Sequence, residues 1–154
     1  MSRQTKRCIK FGSFVLLILY IAVLIYVCFL SEDYGRDVIT SYYRYNLIPF
    51  KEIRRFYIYR DVVGIRAFLA NLFGNVLAFM PYGFFMPILR PKLRRMNRMF
   101  LAAFLLSLTI EITQLLTRVG SFDVDDLILN TAGGIAGYLL FYIMNKIRSK
   151  WDGA

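Results

Sequence analysis

Glu111, Asp123 and Asp126 are the side chains best equipped for chemistry in this sequence. Two carboxylates of this kind could form an acid–base pair or give oxygen ligands to Mg²⁺. Asn75, Gln114 and Asn130 add hydrogen-bonding amides, and Arg118 adds a cation. Most of these residues interrupt stretches otherwise apolar enough to cross a bilayer. Polar groups are costly there, and where they persist they bind something or hold helices together. At helical spacing Glu111, Gln114 and Arg118 make one stripe, and Asn71 and Asn75 share a face. The usual catalytic apparatus is absent. The chain has no histidine, no Ser–base pairing in view, no glycine-rich phosphate loop and no metal-ligand spacing, so no cofactor or metal is expected.

The elements that position these residues can be read from composition. Of 154 residues 58% are hydrophobic and 17% aromatic, against roughly 45–50% apolar in soluble domains. A helix needs about 20 apolar residues to span the hydrocarbon core. Four windows qualify, at about 11–30, 67–89, 99–117 and 127–147. They leave little chain for anything else, so residues 1–154 are expected to form a single membrane domain. The first window follows four basic residues like a signal peptide, but it is too long and ends without a small-residue cleavage site. An uncleaved span is expected. Short connections at 90–98 and 118–126 make antiparallel neighbours of spans two, three and four. The fold class is therefore an all-α membrane protein, a four-transmembrane-helix bundle with an amphipathic outer loop between helices 1 and 2.

Positive charge in short loops orients such a bundle. Twelve Lys or Arg lie in the two tails and the 90–98 loop, against eight on the opposite side. Both termini are expected to be cytoplasmic, which puts the polar residues of spans two, three and four at the outer end. The net charge of +10 then reflects anchoring and attraction to anionic membrane lipids. Nucleic-acid binding is excluded, because no soluble basic face remains. Cys8 and Cys28 lie a span apart and cannot pair within one chain.

Each group also has a structural reading. Gly133 and Gly137, with Gly74 and Gly134, are expected to let helices pack closely. Asp125 and Asp126 could cap span four. The Asn and Gln residues could be interhelical hydrogen-bonding glue. Glu111 could pair with Arg118 or Arg66, or serve a ligand, and the residues leave this open. The outer loop holds six of the eleven tyrosines among basic residues, a mixture that favours the membrane interface. Within it, 51–59 is expected to form a short interfacial helix, anchoring the chain or covering the polar cluster.

Asn46-Leu-Ile-Pro-Phe, then Asn71-x-x-Gly74-Asn75-x-x-x-Phe79-x-Pro81-x-Gly83, Glu111-x-x-Gln114, Phe122-Asp123-x-Asp125-Asp126 and Asn130-Thr-x-Gly133-Gly134-x-x-Gly137 follow in this order. Together, over about 46–140, they resemble the VanZ-like family of bacterial membrane proteins. The resemblance implies a role in the cell envelope, since the family's namesake is associated with resistance to the glycopeptide teicoplanin. Three functions follow as expectations. The first is a non-enzymatic protein whose outward-facing polar groove binds a lipid-linked cell-wall precursor or the glycopeptide. The second is an intramembrane enzyme using Glu111 with Asp123 or Asp126 on a lipid-linked or phosphate-bearing substrate. The third is a flippase or transporter, completed as a homodimer through Gly133 and Gly137.

Overall fold

The computed structural model of the chain describes residues 2–30, 43–59 and 64–152. Parts of the expected outer loop, 31–42 and 60–63, lie outside the described residues, as does the Asn71 side chain. Among the described residues five α-helices form: α1 (Arg3–Ile25), α2 (Lys51–Ile58), α3 (Ile65–Leu89), α4 (Met96–Thr117) and α5 (Val124–Asp152). A π-helical turn, Tyr26–Leu30, extends α1, and a 3₁₀ turn, Pro91–Leu93, joins α3 to α4. Four of these helices are long and apolar enough to cross a membrane.

Every long helix outruns its apolar window. α1 begins in the basic segment at Arg3, where the Ser2 hydroxyl accepts the Thr5 N–H at 3.1 Å. Straight-chain Lys and Arg lose little in a helix, so charge does not end it. Its 23 residues with the π turn, and the 29 of α5, reach about 42 and 44 Å at 1.5 Å per residue. Both exceed the roughly 30 Å hydrocarbon thickness and project beyond it. α3 continues through Pro81 and Pro87. Proline leaves a carbonyl unpaired a turn earlier, which membrane helices tolerate when neighbours take it up.

α5 is the centre of the bundle. It packs along α3 and against α4, while α1 leans on α3, and α3 and α4 touch only lightly. The closest pair, α3 and α5, therefore runs parallel, although the pairs adjacent in sequence run antiparallel. The reason is small residues. A Cβ on Gly133 would collide with the carbonyl of Val76, one on Gly137 with that of Met80, and one on Gly83 with that of Gly134. Gly134 faces Ala103 of α4. Gly74, also expected to be a packing glycine, meets nothing within 4 Å among the described residues. The close approach on α3 falls instead at Gly83, two turns deeper.

Two apolar clusters complete the interior. Leu24, Phe79 and Ile110 join α1, α3 and α4. Met99, Ala103, Tyr138 and Phe141 join α4 and α5 toward the tails. The outward faces carry Leu16, Leu19, Leu101, Leu105, Ile143 and Ile147, all exposed, as a lipid-facing surface requires. On the exposed side of α4, Thr109, Thr113 and Thr117 each return the hydroxyl proton to the carbonyl four residues earlier, at 2.7 Å. Their polarity is thus satisfied within the helix.

Candidate functional site

At the end of the bundle opposite the tails, two short segments pair in parallel: β1 (Tyr45–Asn46) with β2 (Phe122–Asp123). The pairing sets Asn46 beside Asp123, and the Phe122 N–H bonds the Arg44 carbonyl at 3.1 Å. It joins the loop before α2 to the turn between α4 and α5. The turn itself is forced by Arg118, whose φ of 57° closes α4 in the left-handed conformation. Gly120 then folds against the Gln114 side chain, which lies 3.3 Å from where a Cβ would stand.

The three neighbouring aspartates have three different tasks. Asp123 Oδ1 accepts the backbone N–H of Asp125 at 2.8 Å, which caps α5. The same oxygen accepts Asn46 Nδ2 at 3.1 Å. Asn46 Oδ1 in turn accepts the Ile48 N–H at 3.2 Å. Burial pushes the Asp123 carboxyl above its usual range, against the opposing pull of these two donors.

Asp125 turns away from its own helix. Its carboxylate receives the N–H groups of Phe50, of Glu52 at 2.8 Å and of Ile53 at 3.1 Å. These are the first-turn donors of α2. That helix cannot cap itself, because its N-cap position is Phe50, held at φ 63° with no side-chain acceptor. Asp126 makes the third link, accepting Asn75 Nδ2 of α3 at 2.5 Å.

Glu111 lies one element further in, 2% exposed. Its Oε2 accepts the backbone N–H of Asp123 at 2.9 Å, so α4 holds the turn that starts α5. Gln114 Nε2 donates to the Cys28 carbonyl at 3.0 Å and ties α4 to the π-helical end of α1. Asn130 Nδ2 donates to Ser107 Oγ at 3.0 Å between α5 and α4, while Asn130 Oδ1 is buried with no hydrogen-bond partner among the described residues. Arg118 is considered above as a partner for Glu111, but its guanidinium lies over the Tyr43 ring, 4.6 Å from the centroid.

Among the described residues the expected side chains divide between several contacts. Glu111, Asp123, Asp126 and Asn75 gather near the start of α5. Gln114, Asn130 and Arg118 each serve a separate contact between elements. Glu111 meets Asp123 through the backbone N–H. No group of three His, Cys, Asp or Glu side chains suited to a metal occurs among the described residues. Asp125, Asn46 and Ser107 complete the network and are absent from the sequence-based cluster. One signal could have revealed Asp125: an interfacial helix opening Ile48-Pro49-Phe50, with no capping side chain of its own. Gly133 and Gly137 pack against α3 of the same chain.

The family model VanZ/LLP1 matches residues 17–145. The chain belongs to this family. The match begins within α1 and reaches further toward the N-terminus than the motifs at 46–140. Among curated relatives, Protein VanZ of Enterococcus faecium is 29% identical over 133 residues, covering 85% of this chain and 74% of that protein. No solved structure matches the chain significantly. Family membership and four apolar helices identify a membrane protein.

Proposed function

We propose that the chain is a non-enzymatic protein of the bacterial cell membrane, with both termini cytoplasmic, that lowers susceptibility to teicoplanin-type glycopeptides. It does so by binding a lipid-linked, phosphate-bearing wall precursor at its outer face. The VanZ relationship supports the envelope role. The positive charge at the tails and the 90–98 loop supports the orientation.

The observation that carries this reading is the triple hydrogen bond from the start of α2 to Asp125. It argues against a polar groove between the helices, because most polar side chains there are engaged with other side chains or with backbone. The binding surface is instead α2, held rigidly across the top of the bundle. Ile48, Phe50, Lys51, Arg54, Arg55, Ile58 and Tyr59 line a hollow of about 540 Å³ there. Apolar and aromatic surface suits isoprenoid and sugar, while the cations suit phosphate. The buried carboxylates favour this reading over acid–base catalysis, since Asp125 and Asp123 are committed to backbone N–H groups.

Teicoplanin and vancomycin susceptibility would be compared in a bacterial host at matched membrane levels of wild type, Arg54→Gln/Lys51→Gln and Asp125→Ala. Protection against teicoplanin should fall to the vector level in both variants. Full protection in the α2 double variant would refute the binding surface, and no protection by the wild type would refute the function.

A further inference from the structure

The opposite end of the bundle has a second built feature. The start of α1, the end of α3, the turn after it and the end of α5 enclose a cavity of about 260 Å³. Its wall consists of Lys6, Ile9, Lys10, Ile88, Arg94 and Arg148. Four of these six are cations and none is an acid. Four positive charges around one cavity repel each other and raise the local concentration of anions.

The Arg94 head is fixed in place. Its Nε donates to the Pro87 carbonyl at 3.0 Å, and the guanidinium lies 5.8 Å from the centre of the Phe141 ring. Tyr138 locks the same residue from below, its hydroxyl donating to the Arg94 carbonyl at 2.8 Å. A guanidinium held this way is preorganised for a phosphate.

Beside the basic cavity, and sharing Arg94, Arg148, Ile9 and Ile88 with it, an apolar cleft of about 430 Å³ continues toward the bilayer. Ser13, Phe84, Phe141 and Met144 form its walls. It exists because α1 leans on α3 and stands away from α5. Its size falls within the roughly 300–1,000 Å³ usual for ligand sites.

We propose that this is a binding site for one anionic phospholipid. The phosphate sits among Lys6, Lys10, Arg94 and Arg148, and an acyl chain lies in the cleft between α1, α3 and α5. Charge complementarity selects the headgroup, and continuity of the basic cavity with an apolar cleft selects a lipid over a free anion. Basic pockets between membrane helices are recognised anionic-lipid sites. The lipid fills the gap beside α1 and binds that helix to the rest of the bundle. The site is independent of the function proposed for the outer face.

Native mass spectrometry of the full chain in neutral detergent, with dioleoylphosphatidylglycerol added, tests the proposal. The wild type should retain one phosphatidylglycerol and no phosphatidylcholine. Lys6→Gln/Lys10→Gln should weaken binding about 25-fold, at about fivefold or ~1 kcal/mol per cation. Ser13→Leu, which fills the cleft and keeps every charge, should weaken it too. Lys92→Gln/Arg95→Gln, at the same end but outside the cavity, should leave affinity within about twofold of wild type. Equal loss in the two double variants would reduce the effect to diffuse surface attraction and overturn the site. Displacement of the lipid by inorganic phosphate, with Ser13→Leu binding like wild type, would make it a small-anion site and equally overturn the lipid.

Discussion

Asp125 shows how far a single carboxylate can act from its own helix. Asp123, Asp125 and Asp126 are nearly adjacent, yet one caps α5, one caps α2 and one binds α3. Asp123 gives the group a measurable pH signature. Its carboxyl is raised by burial, so the folded state holds its proton more tightly than the unfolded chain does. Stability from this group is complete below the ordinary value of 3.8 and is lost as pH rises through the higher folded value. Asp123→Asn keeps Oδ1 as acceptor for Asn46 and for the Asp125 N–H, and it cannot ionise. Thermal melts in detergent should therefore show the variant gaining on the wild type as pH increases from about 4. A wild type that gains on the variant over that range would contradict the assignment.

Among the helices, the tightest packing depends on where a glycine meets a neighbouring backbone. Gly137→Ala drives a methyl into the Met80 carbonyl and should cost at least ~2 kcal/mol of stability, as overpacking typically does. Gly74→Ala meets open space and should be neutral or stabilising by up to ~1 kcal/mol, from restricting the unfolded chain. Melting temperatures of the two variants would separate them, and equal destabilisation would contradict the packing described. The sequence made the four spans legible because apolar runs of that length have one use. It also made Gly133 and Gly137 legible as packing positions through their spacing. Gly74 meets nothing within 4 Å among the described residues, and its spacing is alike whether a neighbour is present or absent. The parallel α3–α5 pair and the task of Asp125 depend on contacts between residues more than 50 positions apart, and no local pattern encodes them.

The molecule has two unlike ends, a hydrogen-bonded cap of short elements and a basic end where the tails meet. Cys8 offers a direct test of how they face. It is exposed on the first turns of α1, and in a Cys28→Ala background it is the sole thiol of the chain. Gln114 bonds the backbone carbonyl of Cys28 and not the thiol, so that background keeps the contact. With both tails cytoplasmic, an impermeant maleimide should leave Cys8 unlabelled in intact cells and label it after permeabilisation. Labelling of intact cells would reverse the orientation, and with it the side of the membrane on which α2 lies.

Hydrogen exchange of the full chain, wild type against Asp125→Ala, would show whether the polar residues brace α2 on the bundle. Removing an acceptor of three N–H groups should cost about 2 kcal/mol locally, roughly a 30-fold loss of protection. That loss should appear in the amides of Lys51–Ile58, with α3, α4 and the body of α5 unchanged. Protection of α2 equal to wild type would contradict it.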